Sequence, residues 1–323
     1  MSPAYVGWRL LQVVPVVAGI VLVGFVLIHL APGDPILALA GDAGDAEYYA
    51  AMHERFGLDQ PLWRQVGTYF GNVARGDLGV SYTHGRPALD VILERVPATL
   101  LLAMVALLLS STVGVAVGVV AAARAHRATD LAISGIALTF HAAPVFWIGQ
   151  LALLAFALRL GWFPVQGMAS AGSQLEGWAR VADVARHLTL PALVLASQEI
   201  AATARLTRAS MIEELRESYT ESLRAKGVGP VRLLVRHTLR PALLPVVTLI
   251  GGRVGHLLSG AVVVEVVFGW PGLGRLLLTA MQTRNSPILL GIFLLVALCV
   301  VLANLLTDLA YRWLDPRITF TRA

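Results

Sequence analysis

Residues 221–251 read ESLRAKGVGPVRLLVRHTLRPALLPVVTLIG, a basic, glycine-broken loop that runs straight into a long apolar segment. Another apolar run lies upstream, so the loop joins two hydrophobic segments. Tyr219–Lys226 is helical by propensity, and Gly227 then permits a positive φ or a tight approach. Gly229-Pro230 starts a second helix, because proline suits a first turn. The α-helical period puts Val231, Leu234, Val235 and Leu239 on one face of it and Arg232, Arg236 and Arg240 on the other. Two short helices meeting at a glycine corner make a compact knob. On the cytoplasmic side of a membrane protein such a knob suits docking to something soluble. The rival reading is an interfacial helix whose arginines bind membrane lipid headgroups.

Composition places the loop in that setting. Of the 323 residues 57% are hydrophobic and 14% charged, and the mean hydropathy is +0.71, which excludes an ordinary soluble protein. A helix of about 20 apolar residues crosses the hydrocarbon core. Six runs read as such spans: Leu10–Leu30, Pro97–Ala123, Leu131–Leu158, Leu188–Ala204, Ala242–Val267 and Pro287–Leu309. The fourth is short and carries Glu199. The first is too long for the apolar core of a secretory signal and is expected to stay uncleaved. The lone cysteine, Cys299, excludes an intrachain disulfide and a cysteine-based metal site.

Basic residues orient the spans. The segment after the fourth run holds Arg205, Arg208, Arg216, Arg224, Lys226, Arg232, Arg236 and Arg240. The opposite side carries acids such as Asp34, Asp42, Asp45, Glu47 and Asp59. By the positive-inside rule both termini are expected in the cytoplasm. Topology accounts for the excess positive charge, and no nucleic-acid module accompanies it. Outside, Gly57-Leu58-Asp59-Gln60-Pro61 predicts a turn into a short helix with Trp63, Val66 and Phe70 on one face. Gly76-Asp77-Leu78-Gly79 predicts another turn, followed by an irregular stretch over 81–87.

Charges inside spans are costly and mark function or specific packing. Glu199, Arg253 and His256, with the milder His141, are candidates for a substrate path. Arg253 and His256 lie three apart, near one face of a helix, and suit contact with a carboxylate. The alternative is an interhelical pair, for example Arg253 with Glu199, that fixes packing.

The knob resembles the coupling-loop signature EAA-x₃-G-x₉-I-x-LP of bacterial ABC importer permeases. Glu221, Ser222 and Leu223 hold its first three places and Gly227 its glycine, whereas His237 stands at the apolar position and Arg240 at the proline. The match is closer to the variant of the dipeptide/oligopeptide/nickel permease family, B-type subunit. Arg224-Ala225-Lys226-Gly227, Arg236-His237-Thr238-Leu239-Arg240 and Ala242-Leu243-Leu244-Pro245 carry it. So do Pro32-Gly33-Asp34-Pro35, Arg95-Val96-Pro97-Ala98-Thr99-Leu100, Arg205-Leu206-Thr207-Arg208 and Glu265-Val266-Val267-Phe268.

The resemblance implies an all-α membrane protein of six transmembrane helices with the type I ABC importer permease fold. It divides the chain into an N-terminal segment with the first membrane helix (1–30), an extracytoplasmic region (31–96) and a permease core (97–323) containing the coupling loop 205–241. It also implies a C-type permease partner, two cytoplasmic ATPases and an extracytoplasmic substrate-binding protein. Glu221 to Gly227, with Gly229, Arg236 and His237, would then meet an ATPase. The chain has no Gly-x₄-Gly-Lys-Ser/Thr phosphate loop, so ATP and Mg would be used by the partners and this subunit would bind no cofactor or metal. Expected cargo is di- or oligopeptide, with nickel or another small solute as the alternative. An ion-coupled secondary transporter would leave the loop without a role and lacks the expected internal repeat. An intramembrane hydrolase lacks a nucleophile matched to His141 or His256.

Overall fold

The computed structural model describes residues 13–30, 36, 46–57 and 59–314. Among them the chain is helical, with one isolated antiparallel bridge between Val80 and Pro87. In chain order the helices are α1 Val13–Leu30, α2 Ala46–Phe56, α3 Leu62–Val73, α4 Ala88–Ala123, α5 Ala128–Ala142, α6 Val145–Arg159 and α7 Gly177–Glu214. They continue as α8 Ser218–Ala225, α9 Pro230–Gly252, α10 Val254–Val267, α11 Leu273–Gln282 and α12 Ser286–Leu314. The start of the first predicted span, the Pro32–Pro35 motif, Leu58 and the side chain of His256 lie outside the described residues.

The chain forms two units: its residues up to Thr99 with Pro271–Val301, and Leu100–Trp270 with those from Leu302 onward. In the first, Leu78, Val91 and Ile92 pack with Leu273, Leu276, Ile288 and Ile292. The stretch 81–87, expected to be irregular, has neither helix nor strand and is closed into a loop by hydrogen bonds. Ser81 N–H bonds the Arg86 carbonyl at 3.0 Å and Ala88 N–H bonds that of Gly79 at 2.8 Å. Buried Asn285 donates to Ser81 Oγ at 2.8 Å and Thr83 Oγ1 at 2.9 Å, which the sequence pattern did not reveal. The predicted helix after Pro61 is α3. Val66 and Phe70 are half-buried there, but Trp63 is 75% exposed. The helix α2 was not anticipated, because its polar composition carries no span signal.

Among the described residues α4, α9 and the Ser286–Leu305 part of α12 are long and apolar enough to cross a membrane, and α5 with α6 adds a fourth if the pair is one span. The apolar part of α1, Pro15–Val26, is shorter, and α7 is long without being apolar enough. The second predicted span begins nine residues early, at Ala88 rather than Pro97, because Ala88, Val91 and Ile92 recur on one buried face. The third is broken: α5 and α6 meet at 103°. Pro144 has no N–H, and Ala143 before it adopts an extended ψ of 136°. The fifth is also interrupted, at Arg253 (φ −92°, ψ −2°), directly after Gly251-Gly252.

α7 is held against α4 by backbone proximity. A methyl group on Gly118 would lie 2.5 Å from Thr207 Cβ and 2.7 Å from the Ala204 carbonyl oxygen. One on Gly114 would lie 2.7 Å from Thr203 Cβ. The Gly114-x₃-Gly118 stripe thus takes the Thr203-x₃-Thr207 stripe at a distance only glycine permits, the small-residue packing that joins helices where lipid is as apolar as the side chains. Thr207 Oγ1 is buried there without a hydrogen-bond partner. Gly118→Leu is therefore expected to destabilise the purified protein by roughly 1–3 kcal/mol, read as a lower thermal midpoint in detergent. Gly135→Ala, with open space around it, and Thr207→Val, which removes an unpartnered hydroxyl, should leave the midpoint unchanged or raised.

Candidate functional site

α7 ends at Glu214, and the chain turns through Leu215–Glu217 into α8. Thr220 fixes that turn. Fully buried, its hydroxyl donates to the carbonyls of Leu215 at 2.9 Å and Glu217 at 2.7 Å. Tyr219 Oη donates to Glu214 Oε2 at 2.7 Å. Burial, reinforced by that carboxylate, pushes the phenol above its usual range, so it stays a neutral donor.

The far end of α8 closes in a Schellman motif. Gly227 has φ +78°, its N–H bonds the Arg224 carbonyl at 2.9 Å, and Val228 N–H bonds that of Leu223 at 3.1 Å. A methyl on Gly227 would meet nothing within 4 Å, so the glycine serves the backbone angle rather than close packing. Gly229 caps the next helix and Pro230 occupies its first turn, as the sequence predicts.

The face of that next helix differs from expectation. Leu233–Thr238 forms a π-helical turn, with Thr238 Oγ1 donating to the Leu233 carbonyl at 3.1 Å. The wider turn shifts the register. Leu233 and Thr238 become buried and Leu234 and Leu239 half-buried, whereas Val231 (72% exposed) and Val235 (55%) lie outside. Leu234 and Leu239 join a small core of Val119 and Ala122 from α4, Met211 and Ile212 from α7, and Ala242.

What faces outward is the predicted set. Glu221, Ser222, Arg224, Ala225, Lys226, Gly227, Gly229 and Arg236 are exposed, and Leu223 and His237 are half-buried. The knob presents Arg224, Lys226, Arg232 and Arg236 around the two valines, and none of these cations has an acidic side-chain partner among the described residues. A surface mixing free cations with exposed aliphatics suits a protein partner that offers acids around an apolar contact.

The in-span charges resolve differently. Arg253 Nη1 donates to Glu199 Oε2 at 2.8 Å, and Glu199 is buried. The neighbouring Gln198 donates through Nε2 to the Ala143 carbonyl at 2.8 Å, at the α5–α6 bend. His141 is exposed in the last turn before that bend, and His256 lies on α10. Sequence reasoning missed a second ion pair. Asp130, buried in the first turn of α5, accepts from Arg208 Nε at 2.5 Å and Nη2 at 2.7 Å, and its Oδ2 also accepts the His126 N–H at 2.9 Å. Arg208 stands within a motif whose charge alone did not indicate a partner 78 residues away.

Residues 114–320 match the family model described as binding-protein-dependent transport system inner membrane component, and residues 5–103 match its N-terminal companion. The chain belongs to this family. It is an ABC importer permease, a multi-pass protein of the bacterial inner membrane. It is 39% identical to the dipeptide transport system permease protein DppB of Escherichia coli, over 96% of this chain and 97% of that protein. It is 38% identical to the di/tripeptide transport system permease protein DppB of Pseudomonas aeruginosa, over 99% of each. The glutathione transport system permease protein GsiC of Escherichia coli is 37% identical over 98% of this chain and 99% of its own. The fold of this permease is also similar to that of the inward-facing MetNI methionine ABC transporter, with a TM-score of 0.57 at 18% identity, covering 70% of this chain and 97% of that one.

Asp130→Ala and Arg208→Ala in this permease should each lower the thermal midpoint. The double variant should cost about 0.5–3 kcal/mol less than the sum of the two, the signature of a direct pair. Strict additivity in that cycle would contradict the pairing.

Proposed function

We propose that the chain is the B-type permease of an ABC importer for di- and oligopeptides and that it forms half of the translocation path. The observation that carries this reading is the 38–39% identity to two di- or tripeptide permeases along nearly the whole chain. The chain pairs with a C-type permease and receives substrate from an extracytoplasmic binding protein. It crosses the membrane six times with both termini in the cytoplasm, an orientation that follows from the basic 205–241 segment.

Two cytoplasmic ATPases, one for each permease, supply the energy, and ATP and Mg belong to their sites. This subunit catalyses nothing itself. α8 and the Gly227 corner are its motor-coupling site, with Glu221, Ser222, Leu223, Arg224, Ala225, Lys226, Gly229, Arg236 and His237 around the contact. Support comes from the outward exposure of most of this set and from its seat on α4 and α7. Closure of the ATPase dimer on ATP pushes the knob and turns the path outward, and hydrolysis lets it return. Arg253 and Glu199 hold each other, which favours a structural role over capture of a peptide carboxylate.

Affinity purification of the tagged chain from its native membrane should bring down a second permease and ATPases, and the assembled complex should take up radiolabelled dialanine. Purification of the chain alone, with uptake driven by an ion gradient, would contradict the reading, and uptake of nickel without dialanine would overturn its substrate. Gly227→Arg should abolish ATPase capture and uptake while membrane insertion persists. Gly227→Ala, which adds only the cost of about 1 kcal/mol for a side chain at positive φ, should retain both.

A further inference from the structure

Both interrupted spans of the Leu100–Trp270 unit are tied to one point on α7. Lipid offers no hydrogen bonds, so a broken helix persists in a membrane only where protein groups take up its freed backbone and polar atoms. At the α5–α6 bend, the Ala143 carbonyl accepts from Gln198 at 2.8 Å. At the α9–α10 interruption, Arg253 donates to Glu199 at 2.8 Å. The two anchoring side chains are adjacent in sequence, and the helix that carries them, which has Pro191 within it, runs free of proline from Ala192 to Glu214.

The same helix leads to the knob. Glu199 stands about 22 Å along the axis from Glu214, at the rise of an α-helix. Between them Thr203 and Thr207 lie against α4, and Arg208 is paired with Asp130. Beyond Glu214, the turn into α8 is stiffened by the Leu215 N–H bond to Met211 and by the two bonds of Thr220. An α-helix with its backbone bonds intact moves as a rod, whereas a proline bend and a Gly-Gly interruption are where a span changes angle.

We infer that Gln198 and Glu199 are positioning residues for coupling: they are the grip through which α7 converts displacement of α8 into bending of the two interrupted spans. The inference rests on the reading of α8 as the motor-coupling site. Gln198 controls the α5–α6 bend, and Glu199 controls the α9–α10 interruption through Arg253. Transport therefore depends on these two contacts even when the ATPases are bound and hydrolysing.

The test uses the complete transporter in proteoliposomes with its binding protein and radiolabelled dialanine, and reads dipeptide taken up per ATP hydrolysed. Gln198→Leu and Glu199→Gln should lower that ratio at least tenfold with the ATPases still bound, while Arg253→Lys, which keeps the ion pair, should stay within threefold of wild type. Ratios within twofold of wild type in both losing variants would overturn the inference. A second measurement needs no variant at the grip. Spin labels at the exposed positions Leu131 on α5 and Leu158 on α6 report the bend, and their separation should differ between nucleotide-free and vanadate-trapped wild-type complexes. An unchanged separation would overturn the inference by itself. Failure of the underlying reading looks different, because then no ATPase accompanies the wild-type chain.

Discussion

The contact between Gly114-Gly118 on α4 and Thr203-Thr207 on α7 is the one on which the rest of the second unit depends. Two helix backbones approach so closely that a single methyl on either glycine would overlap a threonine or a carbonyl. Because apolar burial gives no preference between helix and lipid, such contacts carry much of the association free energy in a membrane. This one fixes the last third of a 38-residue helix, the part nearest the knob. The Asp130–Arg208 pair lies one residue beyond it, and the small core under Leu234 and Leu239 lies another turn on, at Met211. The knob therefore has a rigid foundation built from α4, α5 and α7.

Backbone satisfaction explains the polar residues of α7. A sequence reader meets Gln198 and Glu199 as expensive groups in an apolar run and looks for a ligand. Here they are occupied. Gln198 takes the Ala143 carbonyl at the Pro144 bend, and Glu199 takes the guanidinium that stands at the α9–α10 interruption. The same polarity is what keeps α7 below the hydropathy of an ordinary span, although it is the longest helix described.

Much of the candidate site was legible in the sequence, because its signals are local. Gly227 needed only the rule that glycine ends helices with positive φ, and Gly229-Pro230 only the preference of proline for a first turn. The two helices around that corner fall where propensity puts them. The face of the second was misassigned since a π-helical turn adds a residue that a fixed α-period does not contain, which moved Val231 and Val235 outward. Long-range pairs were less accessible. Arg253 with Glu199 could be named as an alternative because both charges stand out in apolar runs, whereas Asp130 sits among loop charges and Gln198 carries none. The Pro144 bend was hidden inside a run whose hydropathy is continuous across it. The closed loop after Gly79 depends on Asn285, some two hundred residues away, so no local pattern could supply it.

The central claim is that the α8 corner is where an ATPase meets this permease, and site-specific photo-crosslinking measures it most directly. A photoreactive amino acid at Ala225, exposed beside Gly227, should capture the ATP-hydrolysing subunit when the intact transporter is irradiated in membranes. Capture of lipid alone, with no protein adduct in either the nucleotide-free or the ATP-bound complex, would contradict the account and return the knob to a headgroup-binding helix.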